Sequence, residues 1–255
     1  MTLTTDFGLE DPYVGMMKGV LLSAVSSLRL VDLTHGIGPQ DVRAAAFFLA
    51  HSWRYFPAGS VHVCVVDPGV GSERRILVAR EGTHAFVAPD NGLLGPVLSE
   101  SARVFALEVE RFSLPLASRT FHGRDVMAPT AARLAAGLDP AECGAPVADW
   151  ERMRFEAPEQ VSSDELRGRV LVRDRFGNLI TNVTAHALAG GAGWSVECAG
   201  RSLPVREAYC DVPTGQALAL VDSYGYLELA VRDGSAAECL GLGPGAPLTI
   251  KRGRA

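Results

Sequence analysis

The sequence predicts an α/β domain with a mostly parallel central sheet, followed by a smaller all-β barrel domain. Three observations carry this. Apolar strand-like runs alternate with helical patterns through the first 150 residues. The alternation stops near Ala145. From Leu166 onward only short strands and turns follow. Residues 1–150 are read as the α/β domain, 151–165 as a linker and 166–255 as the barrel. With 255 residues, 47% apolar and 21% charged, the chain can bury about 70% of its unfolded surface without disulfides or metals. That composition argues against disorder.

The elements follow in chain order. Met1 to Thr5, Leu28 to Leu33, Val61 to Val66, Ile76 to Arg80, Ala85 to Ala88 and Val104 to Leu107 are strand candidates, rich in Val and Leu. Tyr13 to Val25 sets Val14, Met17, Leu21, Ala24 and Val25 at spacings of three and four, a helix stripe. Asp41 to Tyr55 opens on an N-cap candidate, Asp41. Asp125 to Gly137 reads as a third helix, with Asp125 as cap and Gly137 at the C-terminal cap position. The stretch from Gly144 to Glu159 is irregular, with Pro146 and Pro158. Beyond it, Gly168 to Val172, Leu179 to Val183, Ser195 to Cys198, Ala217 to Val221, Tyr226 to Val231 and Pro247 to Lys251 are strand candidates. Gly190-Gly191, Pro213-Thr214-Gly215 and Gly243-Pro244-Gly245 supply turns, and no helix is expected in this half.

A formal charge of −5 removes the electrostatic drive for non-specific nucleic-acid binding and disfavours a polybasic membrane anchor. No stretch approaches the roughly 18 apolar residues of a spanning helix, and the N-terminus has neither a basic region nor an apolar signal core. The five cysteines are odd in number and lack CxxC spacing. Cys64 and Cys198 lie in apolar runs. Buried thiols in a reducing compartment, the cytoplasm, are the expectation.

Polar residues gather at predicted strand ends: Asp6 after the first strand, Asp32 with Thr34 and His35 at the second, Asp67 after the third, and Asp90 with Asn91 after a later one. In open α/β sheets ligands bind outside the carboxyl ends of strands, so these corners suggest one shared site. The alternative is that Asp and Gly are simply good turn residues. Gly69-Val70-Gly71 is neither a P-loop nor part of a GxGxxG pattern, the six histidines form no zinc spacing, and a nucleophile elbow is absent. No metal is expected, although three aspartates on one edge suit Mg²⁺. Thr120 to Asp125 brings an imidazole, His122, and a guanidinium, Arg124, together before a helix. Arg74 and Arg75 follow Asp67 by seven and eight residues, a distance a loop can fold back. In the second domain, Asp174-Arg175-Phe176-Gly177-Asn178 and Asp222-Ser223-Tyr224-Gly225-Tyr226 each combine an aromatic, a glycine and small polar groups. They suit a flat ring with a polar tail, or they are bulged hairpin turns.

Taken together, Thr5 to Gly8, Asp11 to Gly15, Val65 to Arg75, Pro89 to Leu94, Thr120 to Asp125, Phe176 to Asn178 through Asn182, and Ser223 to Tyr226 resemble one family over nearly the whole chain. It is the adenosine-forming S-adenosylmethionine hydrolases, or hydroxide adenosyltransferases, which share a superfamily with fluorinating and chlorinating enzymes. The resemblance implies attack of water or hydroxide on ribose C5′ of the substrate, giving adenosine and L-methionine, with no cofactor. It implies a homotrimer with sites at subunit interfaces. It places the catalytic triad on Asp67, Arg74 and His122; Arg75 is the alternative arginine, but the spacing from Asp67 favours Arg74. Asp6 would grip the ribose hydroxyls, Phe176 and Asn178 the adenine, and Asp174 and Ser223 the methionine amine. Tyr224 would stand beside Ser223, and Arg232 near the adenine end. The halogenases carry a serine that matches Gly123 here, so this chain looks unlike a halide binder. A halide-dependent adenosyltransferase and a non-catalytic sensor of S-adenosylmethionine or adenosine are the competing readings.

The sulfonium leaves as a neutral thioether and needs no acid. The demanding part is to hold a weak nucleophile in line behind C5′. His122, with an ordinary value near 6.5, is better matched to neutral pH than an aspartate beside an arginine. The expectation is a polar cradle of three residues around one water.

Overall fold

A computed structural model describes residues 1–188 and 193–253. The chain divides into two compact units, Met1–Arg154 and Phe155–Ala255.

The first unit contains β1 (Thr2–Thr5), α1 (Tyr13–Ala24), β2 (Val31–Thr34), α2 (Val42–Ser52), β3 (Val61–Val65), β4 (Ile76–Glu81), β5 (His84–Pro89), β6 (Arg103–Leu107), α3 (Val109–Phe112), α4 (Ala128–Ala135) and β7 (Gly144–Pro146). They build a mixed seven-stranded sheet of order β2-β1-β3-β5-β4-β6-β7. It is parallel through β2-β1-β3-β5 and antiparallel beyond. All five residues of β3 are buried, as expected of a strand covered on both faces. Leu3, Val63 and Val65 pack with Met17 and Leu21 of α1 and with Ala128, Ala131 and Ala132 of α4. Asp41 caps α2, accepting from the Ala44 N–H at 2.8 Å, which stabilises the helix by about 1 kcal/mol. Because four adjacent strands run parallel, their carboxyl ends share one edge, and Asp6, Asp67 and Asp90 follow β1, β3 and β5 there.

The third helix departs from expectation. Residues Gly123–Met127 form a π turn, and α4 starts only at Ala128. Pro129 has no N–H, so the Asp125 carbonyl gains no α-helical donor. It accepts instead from Leu114 N at 2.8 Å. Asp125 lies inside the π turn and its carboxylate accepts from Ser118 N and Arg124, so it is not a cap.

The second unit contains β8 (Glu159–Ser162), β9 (Glu165–Arg173), β10 (Leu179–Thr184), β11 (Trp194–Cys198), β12 (Arg201–Pro204), β13 (Ala217–Val221), β14 (Tyr226–Val231), α5 (Ala236–Leu240) and β15 (Pro247–Arg252). The antiparallel order is β12-β11-β15-β9-β10-β14-β13, with β8 beside β9. A bridge from Val205 to Ala219 brings the chain after β12 to β13, so the sheet nearly closes as a barrel. Val170, Leu179, Val196, Leu227, Leu229 and Ile250 fill it.

Three elements here lacked a sequence signal. β8 is wholly exposed and lies inside the stretch read as linker. β12 buries only Leu203. α5 is a five-residue helix, capped by Ser235 and ended by Gly241 at φ 63°. The turn expected at Gly190-Gly191 lies outside the described residues. All five cysteines are free. Cys64, Cys143 and Cys198 are buried, but Cys210 and Cys239 are exposed, against the expectation of buried thiols. Among the described residues no helix is long and apolar enough to cross a membrane.

Candidate active site

The loop after β3 folds back on itself through two successive turns. Val70 N donates to Asp67 O and Ser72 N to Gly69 O. Ser72 Oγ donates to Gly69 O at 2.7 Å, and Arg74 N donates to Ser72 Oγ. The turns return Arg74 to Asp67. Its Nε–H donates to Asp67 Oδ1 at 2.8 Å, and Nη2 donates to Asp67 Oδ2. A Cβ on Gly69 would lie 3.2 Å from Arg74 Cγ, so a small residue there leaves room for the returning side chain. The Asp67 side chain is only 5% exposed and that of Arg74 10%.

Arg74 Nη2 also lies 3.0 Å from His122 Nδ1. A guanidinium has no acceptor, so this N–H donates to the imidazole lone pair. The ring is therefore neutral, with its proton on Nε2. Burial and then the Arg74 charge push the His122 pKa below its ordinary value, in agreement with a neutral ring. The sequence expectation that His122 suits the role of base meets an obstacle here, since Nδ1 is engaged and Nε2 is a donor.

The segment carrying His122 is secured by Asp125, whose buried carboxylate accepts from Ser118 N at 2.8 Å and from Arg124 Nε and Nη2. The Arg124 pair holds its pKa below the usual carboxylate range. The two loops meet at Gly71, which has φ 78°; a Cβ there would stand 2.6 Å from Arg119 O. Arg75, the alternative arginine, is engaged elsewhere, donating to Asp90 Oδ2 and to Asp149 Oδ1 and O.

The other strand-end polar groups divide in the same way. Asp32 holds Lys18 Nζ at 2.6 Å and lies 3.1 Å from His35 Nε2. His35 Nδ1 in turn lies 2.8 Å from Thr5 Oγ1, and His35 O accepts from Gly8 N. This relay fixes the turn that carries Asp6. Asp6 Oδ2 accepts from Gln40 N at 2.8 Å, which leaves Oδ1 and further lone pairs for a ligand. Phe7 and Tyr13 each pack edge to face with Phe121 beside this turn, with Arg124 over Phe121, around a cleft of about 410 Å³. At the amino edge of the sheet, His62 and His84 pair with each other at 3.1 Å, and burial drives His62 down to about 3. They are structural.

In the second unit the two pentapeptides are matching hairpin turns. Asp174 Oδ1 accepts from Phe176 N and Asn178 N, and Asp222 Oδ1 accepts from Tyr224 N and Tyr226 N. Gly177 and Gly225 take φ 85° and 83°, the left-handed residue of a three-residue hairpin loop. The bulged-turn alternative is thus realised, with Asp222 as the counterpart of Asp174. Phe176 is 77% exposed, and Ser223 and Tyr224, in the other turn, are also exposed. Asn178 is buried, its Nδ2 donating to Asp174 Oδ2. Arg232 donates to Val212 O at 2.9 Å and to Cys210 O.

Residues 1–144 match the SAM hydroxide adenosyltransferase N-terminal domain, and residues 168–249 match the C-terminal domain of the same name. The chain belongs to the SAM hydroxide adenosyltransferase family. Within that relationship, it is 44% identical over 260 residues to the (R)-S-adenosyl-L-methionine hydrolase of Thermus thermophilus, covering 96% of this chain and 97% of that protein. It is 30% identical over 286 residues to a fluorinase of Nocardia brasiliensis, covering 98% and 95%. The crystal structure of an uncharacterized conserved protein from Thermotoga maritima superposes with a TM-score of 0.89 at 32% identity, covering 98% of this chain and 99% of that one.

Proposed function

We propose that this family member hydrolyses S-adenosyl-L-methionine to adenosine and L-methionine. The observation that carries the reading is the Arg74 guanidinium held between Asp67 and His122. Water attacks C5′ as the carbon–sulfur bond breaks, and the bonding pair leaves on sulfur, which becomes a neutral thioether. Asp67 accepts a hydrogen from the water, while His122 Nε2–H donates to its oxygen. The proton released on forming the 5′-hydroxyl passes to Asp67 and on to solvent. Arg74 keeps both partners oriented, so that the nucleophile meets the carbon already positioned.

Asp6 takes the ribose hydroxyls, Phe176 and Asn178 the adenine, Asp174 and Ser223 the methionine amine, with Tyr224 and Arg232 at their margins. Relatives named for the (R) sulfonium epimer support the same epimer as substrate here. A halide-dependent reaction is less well supported: a Cβ on Gly123 would stand 3.0 Å from Val65 Cγ1, a tight approach that glycine relieves and that a serine would meet only if the Val65 side chain gave way. We take the enzyme to be a cytoplasmic homotrimer that needs no cofactor.

The test incubates the purified protein with each sulfonium epimer in ¹⁸O-water and follows adenosine and methionine by chromatography and mass. Label in the adenosine 5′-hydroxyl, lost in Asp67→Ala, is the expected result. Absence of adenosine, or a 5′-halo product in chloride or fluoride, overturns it. Mass by light scattering tests the trimer, and activity after chelation tests the absence of a cofactor.

A further inference from the structure

Glu228 is a lone charge in an apolar strand, Leu227-Glu228-Leu229-Ala230-Val231. Leu227, Leu229 and Val231 face the barrel core. Glu228 lies on the other face, opposite Leu220 and next to the small apolar cluster of Val212, Leu218, Leu220 and Ala230. It is 3% exposed. A carboxyl in such surroundings is costly unless it is satisfied, and such groups concentrate where function requires them. Its partner is the Tyr209 hydroxyl, which donates to Oε1 at 2.8 Å.

Tyr209 stands in a short turn, Tyr209–Asp211, that buries none of its own residues. The backbone there is held independently: Arg232 donates to the Cys210 and Val212 carbonyls, and Asp211 Oδ2 accepts from Ala208 N. What Glu228 adds is the direction of the Tyr209 ring. That ring forms one wall of a cleft of about 470 Å³, lined also by Phe176, Asn178 and Val231. Two aromatic walls on one cleft suit a planar heterocycle.

We infer that Glu228 is a positioning residue for the purine of the substrate, acting through Tyr209, whose ring it holds against the cleft beside Phe176 and Asn178. The inference rests on the proposed adenosyl substrate.

The experiment measures steady-state hydrolysis of S-adenosylmethionine, with melting temperatures alongside, for Tyr209→Phe, Glu228→Leu, Glu228→Gln and the double variant Tyr209→Phe/Glu228→Leu. Tyr209→Phe and Glu228→Leu are each expected to raise KM about five- to tenfold, the loss of one half-buried hydrogen bond, with kcat within about twofold of the parent. The double variant is expected to be no worse than the weaker single, because both remove the same contact. Glu228→Gln retains an acceptor and is expected to restore most of the affinity. If Tyr209→Phe folds and leaves KM unchanged, or if the two effects add, Glu228 is merely structural and the inference is overturned, whatever becomes of Glu228→Leu. If the parent enzyme itself releases no adenosine, the substrate reading falls and takes the inference with it.

Discussion

In the first unit, Asp67, Arg74 and His122 are joined by contacts that span up to 48 residues of chain, and both members of the ion pair are nearly excluded from water. In the second, Asp174 and Asp222 each organise a turn through backbone donors no more than four residues away, and their neighbouring aromatics stand in solvent. The difference sets what mutation does to each. A buried network drawn from distant loops links rate to folding, since losing one member leaves a charge without its partner. A locally written turn keeps its shape alone, so changes there act on affinity.

The largest break in this contrast would come from Arg74→Ala. It is expected to cost about 3–5 kcal/mol of stability by leaving Asp67 unpaired, and to lower kcat by roughly 10²–10³; urea unfolding and adenosine release read both. A variant with parental stability would place Arg74 with the tolerant class. The same network predicts an acid limb. Because the His122 pKa is lowered, kcat is expected to hold from pH 8 to 7 and to fall only well below 6.5, when a proton on Nδ1 would confront Arg74. A pH–rate profile checks this.

Glu228 is the exception within the second unit, a buried carboxyl with no basic partner among the described residues. Burial raises its pKa from 4.5 to about 7, with Asp174 and Asp222 pushing in the same direction and Tyr209 opposing. Between those pH values the folded chain keeps a proton that the unfolded chain has released, so stability falls as pH rises from about 4.5 through about 7. Glu228→Gln is expected to remove that slope and to gain on the order of 3 kcal/mol at pH 8, measured by urea unfolding at pH 5 and 8.

Gly71→Ala would force a positive φ on alanine and press its Cβ on Arg119 O. A loss of about 1–3 kcal/mol, with a fall in kcat as the two loops part, is the expected outcome in unfolding and turnover assays. The smallest effect separates the two hairpins. Gly225→Ala meets nothing within 4 Å and is expected to cost about 1 kcal/mol for its φ alone. Gly177→Ala also collides with Ser235 Oγ and is expected to cost distinctly more by thermal melting. Equal losses would show that Ser235 yields to the added methyl and that the two turns are matched in surroundings as well as in sequence pattern.

Much of this was legible in the chain. The Asp41 cap, the apolar β3, the strand-end aspartates and the helix stripe of α1 all follow local rules of spacing and propensity. The return of Arg74 to Asp67 was also foreseeable, because seven residues with two glycines can close that loop. The remainder depends on distant partners. Four aspartates mark the sheet edge, yet Asp32 and Asp90 are engaged by Lys18 and Arg75, which sequence spacing does not reveal. Asp125 has the position of a cap, but Pro129 redirects its carbonyl and Arg124 its carboxylate. β8 and β12 bury too little to leave a pattern. The two pentapeptides were legible as paired bulged turns, whereas one signal present in the letters was passed over: the single carboxylate interrupting the apolar run of β14.

The matched turns have a practical consequence. Asp174 to Asn178 and Asp222 to Tyr226 follow one folding instruction and each displays a different ring two positions in, but only the first is packed against Ser235. Exchanging the displayed rings alone, Phe176→Tyr with Tyr224→Phe, should preserve the barrel while altering which aromatic each turn offers, a modular route to retuning ligand preference without rebuilding the scaffold.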